Sequence, residues 1–250
     1  MHSLLSRIAN LAILMLLLMS GSAHAVDLIK GLGTAPGQPV GPTFGENMFD
    51  QHDDTPTVGF LPITITSVFP SGLRFGGLTY TELYLSNNGC VVFRKPLAGT
   101  GAFSTFTPSQ IQASATVPRI AAFFADVDTR PQALGGVTPG GNSTGTNRVF
   151  WDLDAPSGIA TFTWDDVGYF SSQVDKRNAF QIRLIAAGSA GDFDIEFRYE
   201  AINWTTGSAS GGAGGLGGTI ARAGFTAADG VNFYELPQSG RQGSADVGTL

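Results

Sequence analysis

Hydrophobic and polar residues alternate in short runs along most of this chain. Ile63 and Ile65 are interleaved with Thr64 and Thr66, the period of two that buries one face of a strand and wets the other. Leu83 and Leu85 run into Asn87-Asn88-Gly89 and then Cys90-Val91-Val92-Phe93. Asn and Gly accept positive φ at little cost, so this reads as a hairpin with a short turn. Ile120 to Phe124 is apolar without interruption and suits a central strand covered on both faces. Val149-Phe150-Trp151 and the run from Ile159 to Trp164 flank the turn signal Ala155-Pro156-Ser157-Gly158, a second hairpin. Phe180 to Ile185 and Asp192 to Tyr199 also alternate, and Gly188 to Gly191 joins them as a third. In the latter run Phe193, Ile195, Phe197 and Tyr199 share one face, with Asp192, Asp194, Glu196 and Arg198 on the other. No convincing helical period appears; Pro108 to Ala115 has room for one or two turns. Short strands with Gly-rich connections predict an all-β fold, either an antiparallel β-sandwich or a barrel-like sheet pair with long Gly-rich loops.

The two ends depart from this pattern. Arg7 precedes an apolar run from Ile8 to Met19, broken only by Asn10, and Ala23-His24-Ala25 supplies the small-x-small signal of a cleavage site. The run is about a dozen residues, short of the roughly 20 that a spanning helix needs. Residues 1–25 therefore read as a signal peptide cut after Ala25, leaving a secreted or extracellular protein with no membrane span, or a periplasmic one if the producer is bacterial. Residues 26–58 read as an irregular lead-in, broken by Gly and Pro, in which Phe44, Met48 and Phe49 have the character to tuck onto a neighbouring surface. The β domain then occupies 59–240, and 241–250 is a polar tail.

Composition narrows the function. The 250 residues include 34 Gly and 18 Phe but only 14 Lys plus Arg against 20 Asp plus Glu, a formal charge of −6. Without a basic stripe the phosphate-neutralising term of nucleic-acid binding is missing, so no nucleic-acid partner is expected. A lone cysteine, Cys90, excludes a disulfide framework and Cys-rich zinc sites and reads as a buried thiol. Gly141-Asn142-Ser143-Thr144-Gly145 matches G-x-S-x-G, yet it sits in a Gly/Thr loop with no His downstream to act as base. Gly212 to Gly217 satisfies G-x-G-x-x-G inside the Gly-rich stretch from Gly207 to Gly218, where no strand-to-helix turn is expected. Asn142-Ser143-Thr144 and Asn203-Trp204-Thr205 are glycosylation sequons, with meaning only in a eukaryotic secretory pathway.

Aspartates are the polar feature with chemical content. Asp126/Asp128, Asp152/Asp154 and Asp192/Asp194 recur at i, i+2, and Asp165-Asp166 are adjacent. On a strand, i and i+2 share a face about 6–7 Å apart. That spacing permits a Ca²⁺ site completed by other oxygens, or a carboxylate pair for glycoside hydrolysis. For Asp192 and Asp194 a hydrated outer face is expected. Asp126 and Asp128 end a buried strand, where a carboxylate must be solvated, paired or liganded. Pairing with Arg119 or Arg130 and calcium binding are the two readings there, and no other cofactor is expected. His52-Asp53-Asp54 reads as a solvated loop with at most a weak metal affinity.

The run from Val117 to Arg130, Val-Pro-Arg-Ile-Ala-Ala-Phe-Phe-Ala-Asp-Val-Asp-Thr-Arg, closely resembles the opening signature of the nidogen-like (NIDO) domain family. The likeness continues in order through Thr163 to Phe170, Lys176 to Gln181, Gly191 to Phe197, Ile202 to Gly207, Gly214 to Gly218 and Ala221 to Phe225. Asn87-Asn88-Gly89 is similar to the family's lead-in hairpin. The resemblance implies an extracellular, non-enzymatic module for cell-matrix adhesion, binding a matrix protein or a polysaccharide; the short signal and absent disulfides fit a bacterial-type exported protein. It also implies that Trp164-Asp165-Asp166 is structural, with the indole in the core and the carboxylates capping turns. Polar and aromatic groups around Trp204, Thr205 and Thr206 are the expected ligand contacts. The alternatives are a structural accessory component of a cell-surface assembly and a carbohydrate-active enzyme. Trp151, Trp164 and Trp204 discriminate: two of them exposed beside carboxylates in one groove would favour sugar chemistry, and all buried would make them core.

Overall fold

The computed structural model describes residues 26–33, 44–45, 47–54, 61–94, 106–112, 115–130 and 136–241. The signal segment with its Ala25 cleavage point and residues 242–250 of the polar tail lie outside them. Fourteen strands make up the regular structure: β1 (Asn47–Met48), β2 (Leu61–Thr64), β3 (Leu73–Phe75), β4 (Leu78–Tyr80), β5 (Glu82–Ser86), β6 (Cys90–Val92), β7 (Arg119–Phe124), β8 (Val127–Asp128), β9 (Arg148–Asp154), β10 (Ile159–Tyr169), β11 (Gln173–Ala186), β12 (Phe193–Ile202), β13 (Arg222–Thr226) and β14 (Phe233–Glu235). The described helix is a single 3₁₀ turn at Ser208–Ser210. No helix among the described residues is long and apolar enough to cross a membrane.

One six-stranded sheet runs β1-β9-β10-β11-β12, with β8 paired to the end of β10. The second runs β14-β13-β7-β6-β5-β2, and β3 and β4 form a separate hairpin. The strand pairings are antiparallel throughout. The three hairpins expected from the pattern are all present, as β5–β6, β9–β10 and β11–β12. The inner faces of the two sheets meet over one apolar core. Phe123 of β7 lies 5.5 Å from Phe180 of β11, ring centre to ring centre, and Trp164 stacks on Phe180 at 5.0 Å. Tyr199 of β12 donates its hydroxyl to the Ala122 carbonyl of β7 at 2.7 Å, closing the sandwich with a buried polar link.

The outer faces are covered too. Cys90, Val92, Ala121 and Phe124 on the outer side of the second sheet pack under Ile111 and Val117. The segment from Pro108 therefore crosses the sheet in irregular conformation over its described part, 106–112, and not as helical turns. Burial pushes the Cys90 thiol up to about 12, so it stays protonated and inert as expected. On the other sheet, Leu28 and Phe44 of the lead-in pack against Phe150, Ala179 and Ala201. The lead-in is thus a third layer. Gln181 imitates a neighbouring strand, its amide accepting from Ile29 N at 2.8 Å and donating to Ile29 O at 3.0 Å. Phe49 also joins the core, whereas Met48 stays exposed.

Four irregularities aim the side chains. In β7 the N–H groups of Ala122 and Phe123 both reach the Gly89 carbonyl, and the register against β13 slips there. Two residues face one, a β-bulge that turns Phe123 inward after Ala122. Gly89 has φ +75°, and a Cβ on it would lie 1.9 Å from the Phe123 carbonyl oxygen. In β10 an extra residue separates Trp164 from Val167, with Asp166 at φ +52°. In β12, Glu200 is the extra residue between Tyr199 and Ala201, and β10 shifts again before Tyr169.

Gly89→Ala combines a left-handed backbone with a backbone collision and is expected to cost about 3 kcal/mol or more. Urea unfolding followed by tryptophan fluorescence measures it, and a loss under about 1 kcal/mol would show that the turn does not hold the bulge as described.

Candidate functional site

The bulges place acidic side chains on loops. Asp165 accepts Thr144 N at 2.7 Å, Thr144 Oγ1 at 2.6 Å, Thr146 N at 3.1 Å and Thr146 Oγ1 at 2.5 Å. Asp166 accepts Gly145 N at 2.8 Å and the Thr138 hydroxyl; burial nonetheless holds its pKa above the usual carboxylate range. Glu200 takes Asn142 N and Ser143 N, both at 2.8 Å, and Leu28 N at 3.3 Å. The G-x-S-x-G loop is therefore a strapped structural loop fixed by three buried carboxylates, and Trp164-Asp165-Asp166 has the structural role expected of it. Trp164 donates its indole N–H to the Asn87 carbonyl at 2.6 Å.

Trp204, Thr205 and Thr206 do not form a contact surface, which corrects the expectation from sequence. Trp204 is 0% exposed and both threonines are buried. The indole lies between Phe123 at 5.2 Å and Tyr169 at 5.4 Å and donates to Val167 O at 3.0 Å. The Gly-rich loop closes over it. Gly215 O accepts both Thr205 N and Thr206 N, and a Cβ on Gly215 would stand 2.8 Å from the Trp204 Cβ. The G-x-G-x-x-G coincidence is thus a lid on a tryptophan, folded without the helix a dinucleotide would require. Trp151 is half-buried against the core. Two of the three tryptophans are enclosed, so they offer no groove for a sugar.

Asp126 and Asp128 separate in role. Asp128 Oδ1 accepts Arg130 N at 3.0 Å and Nε at 2.9 Å, while Oδ2 accepts Arg130 Nη2 at 2.5 Å and Ser172 N at 2.9 Å. That is the expected pairing with Arg130, and it leaves no free lone pair for a metal, so calcium ligation by Asp128 is withdrawn. Arg119 instead donates to Ser109 and Gln110. Asp126 faces Asp53 and Asp54, whose segment zips onto Thr129: His52 N meets Thr129 Oγ1 at 2.9 Å, and Thr129 Oγ1 donates back to His52 O at 2.9 Å. His52 is buried, 4.3 Å from the Phe49 ring, with burial lowering its pKa. The supposed solvated loop is an ordered wall of an acidic cluster.

One oxygen from each of Asp53, Asp54 and Asp126 lies within 4.8 Å of the others. Asp53 Oδ2 meets Arg130 Nη2 at 2.8 Å, and Asn88 donates its amide to Asp54. Both oxygens of Asp126 are buried with no donor, as is Asp53 Oδ1. Burial first, then the charge of Asp54, raises Asp126 to about 8. Burial and Asp53 raise Asp54 to about 7, and burial and Asp128 raise Asp53 to about 6. Asp126 is 1% exposed, too enclosed to flank a sugar, which removes the paired-carboxylate hydrolysis reading at this place.

Asp165→Ala leaves two backbone N–H groups and two hydroxyls without their acceptor and is expected to destabilise by about 3 kcal/mol. Chemical denaturation checks this; a change within about 0.5 kcal/mol would mean that the 138–146 loop does not depend on the carboxylate.

Comparison with known proteins gives the family. Residues 81–249 match the family model of the nidogen-like domain. Alpha-tectorin of Mus musculus and that of Homo sapiens are each 34% identical over 182 residues, covering 66% of this chain and 8% of theirs. Nidogen of Drosophila melanogaster is 28% identical over 203 residues, covering 72% of this chain and 13% of its own length. The chain thus spans a small fraction of the length of these relatives. No solved structure matches it significantly. Since the family match extends from the start of β5 through both sheets, this chain belongs to the nidogen-like domain family.

Proposed function

We propose that this chain is an exported, non-enzymatic module that binds another extracellular protein within a matrix or cell-surface assembly. Kinship with alpha-tectorin and nidogen, both extracellular matrix proteins, supports the setting. Removal of residues 1–25 would release a chain whose first residue, Val26, already donates its N–H to Tyr199 O at 3.0 Å. The non-catalytic reading is supported by the engagement of Asp128, Asp165, Asp166 and Glu200 in holding loops. Each is buried and occupied by protein donors, not presented to a substrate.

The observation that carries a protein partner is the edge of the second sheet. Among the described residues β14 pairs only with β13, so its outer backbone edge carries no ladder partner there. Val231 is 77% exposed, Tyr234 50% and Phe233 42%, and Leu78 of the β3–β4 hairpin is 59% exposed. The hairpin abuts this region: a Cβ on Gly76 would stand 2.5 Å from Ala227 Cβ. Aliphatic and aromatic groups beside an unpaired strand suit an extended segment of a partner protein, which gains ladder hydrogen bonds and apolar contacts together.

Two outcomes are expected. N-terminal sequencing of the exported protein should begin at Val26; a start elsewhere would overturn cleavage after Ala25. In a panel of immobilised matrix proteins and polysaccharides, at least one protein should bind saturably. Val231→Ser combined with Tyr234→Ser should then weaken that binding about tenfold or more with stability nearly unchanged. Binding that is restricted to polysaccharide, or indifferent to both substitutions, would overturn the β14 assignment.

A further inference from the structure

We infer that Asp53, Asp54 and Asp126 hold a calcium ion where the lead-in meets the end of β7. The argument starts from satisfaction of buried polar groups. The other buried carboxylates of this molecule described above have hydrogen-bond donors: Asp128 has Arg130 and Ser172 N, Asp165 two backbone N–H groups and two hydroxyls, and Glu200 three backbone N–H groups. Asp126 breaks this rule completely, since both of its oxygens are enclosed without a donor, and Asp53 Oδ1 breaks it by half. A carboxylate can only accept, so an enclosed one with no donor calls for a proton or a cation.

A shared proton accounts for part of this. The carboxyl of Asp54 adjoins that of Asp126, and one proton between them would satisfy one oxygen of each. It would leave the second Asp126 oxygen and Asp53 Oδ1 unmatched in the same place. A single cation placed among the three carboxylates would be in reach of one oxygen from each and would answer the charge that one shared proton leaves. Arg130 does not serve, because its guanidinium is directed to Asp128 and to the other oxygen of Asp53.

The donor set selects the metal. Three carboxylates, with no thiolate or imidazole among them, suit a hard cation and not zinc or copper. Oxygens within 4.8 Å of one another match ligands about 2.3–2.6 Å from a common Ca²⁺, and calcium tolerates irregular coordination completed by carbonyls or water. Mg²⁺ demands near-regular octahedral geometry and keeps more of its water. Space beside the Asp126 carboxylate depends on Gly207, where a Cβ would lie 2.7 Å from Asp126 Oδ2. The ion would tie residues 53 and 54, which precede β2, to the turn between β7 and β8. It is independent of the β14 edge.

The test is calorimetric melting of the whole exported protein at pH 7.5, stripped with EDTA and then given CaCl₂ or MgCl₂ at equal ionic strength. Calcium at about a hundred times its Kd is expected to raise Tm by about 5–10 °C, with magnesium much weaker. Titration calorimetry should give one site. Asp126→Asn should abolish both signals; Asp53→Asn serves as the second variant should the first not fold. Absence of a Tm shift and of calcium heat in the parent protein would overturn the site, as would a full calcium response in both variants. Partner binding is read separately on the β14 variants, so either proposal can fail alone.

Discussion

The turn at Asn87-Asn88-Gly89 connects β5 to β6 of the second sheet and receives Trp164 from the first, and much of the molecule's geometry follows from its hydrogen bonds. A three-residue turn with Gly in the left-handed position is ordinary at a surface. Here it is buried, so its polar atoms turn to partners inside the protein, and among its side-chain atoms Asn87 Oδ1 is left without one. Asn87 O receives the Trp164 indole from the opposite sheet, and the Asn87 amide donates to Val127 O at 2.6 Å. Asn88 Oδ1 accepts Val127 N at 2.7 Å, and its amide reaches Asp54. The Gly89 carbonyl receives two successive N–H groups of β7. One short turn thereby sets the bulge in β7, the seat of Trp164, the start of β8 and one wall of the acidic cluster.

The same logic recurs across the sandwich. A bulge adds one residue and breaks the alternation of faces, so a carboxylate that would point into the core or idle on the surface is re-aimed at a loop. Asp165 and Asp166 fix the 138–146 loop in this way, and Glu200 fixes Leu28 together with Asn142 and Ser143. Long irregular connections rich in Gly carry many backbone N–H groups with no ladder to join. Buried carboxylates accept several each, which lets such loops be ordered without becoming strands.

Much of this was legible in the chain. Period-two runs gave the hairpins at Leu83–Phe93, Val149–Trp164 and Phe180–Tyr199, because there the alternation is set by one buried face. The continuous run Ile120–Phe124 was read as doubly covered, and it is. What escaped was whatever depends on partners distant in sequence. The docking of Phe44 is legible as an apolar residue in a broken lead-in, but that of Leu28 is not, since a segment hydrogen-bonded by the Gln181 and Asn142 side chains carries no strand period of its own. Trp204, between polar residues and a Gly-rich stretch, has in sequence the look of a ligand contact. The chain does not announce that this stretch folds back as a lid. Asp126 was recognised as a carboxylate that needs an explanation, but its companions lie more than seventy residues upstream, and only the docking of His52 on Thr129 brings them there. The spacing rule chose Asp128 instead, which Arg130, two residues on, already occupies.

These arrangements bear on where recognition is possible. In an enzyme some polar groups must remain imperfectly satisfied at an open cleft, ready for a substrate. Here Asp128, Asp165, Asp166 and Glu200 face inward and are held by protein donors, whereas both oxygens of Asp126 and one of Asp53 are buried without one. At the perimeter, among the described residues, β14 offers a backbone edge without a ladder partner and unburied apolar groups, the features on which the proposed partner binding rests. An edge can bind a partner reproducibly only if the sheet behind it is stiff. β14 hangs from β13, and β13 from the bulged strand β7 that the Asn-Asn-Gly turn pins. The turn and the bulge it sets thus reach the β14 edge through two strand pairings, so buried polar groups at one end of that ladder help to stiffen the edge at the other.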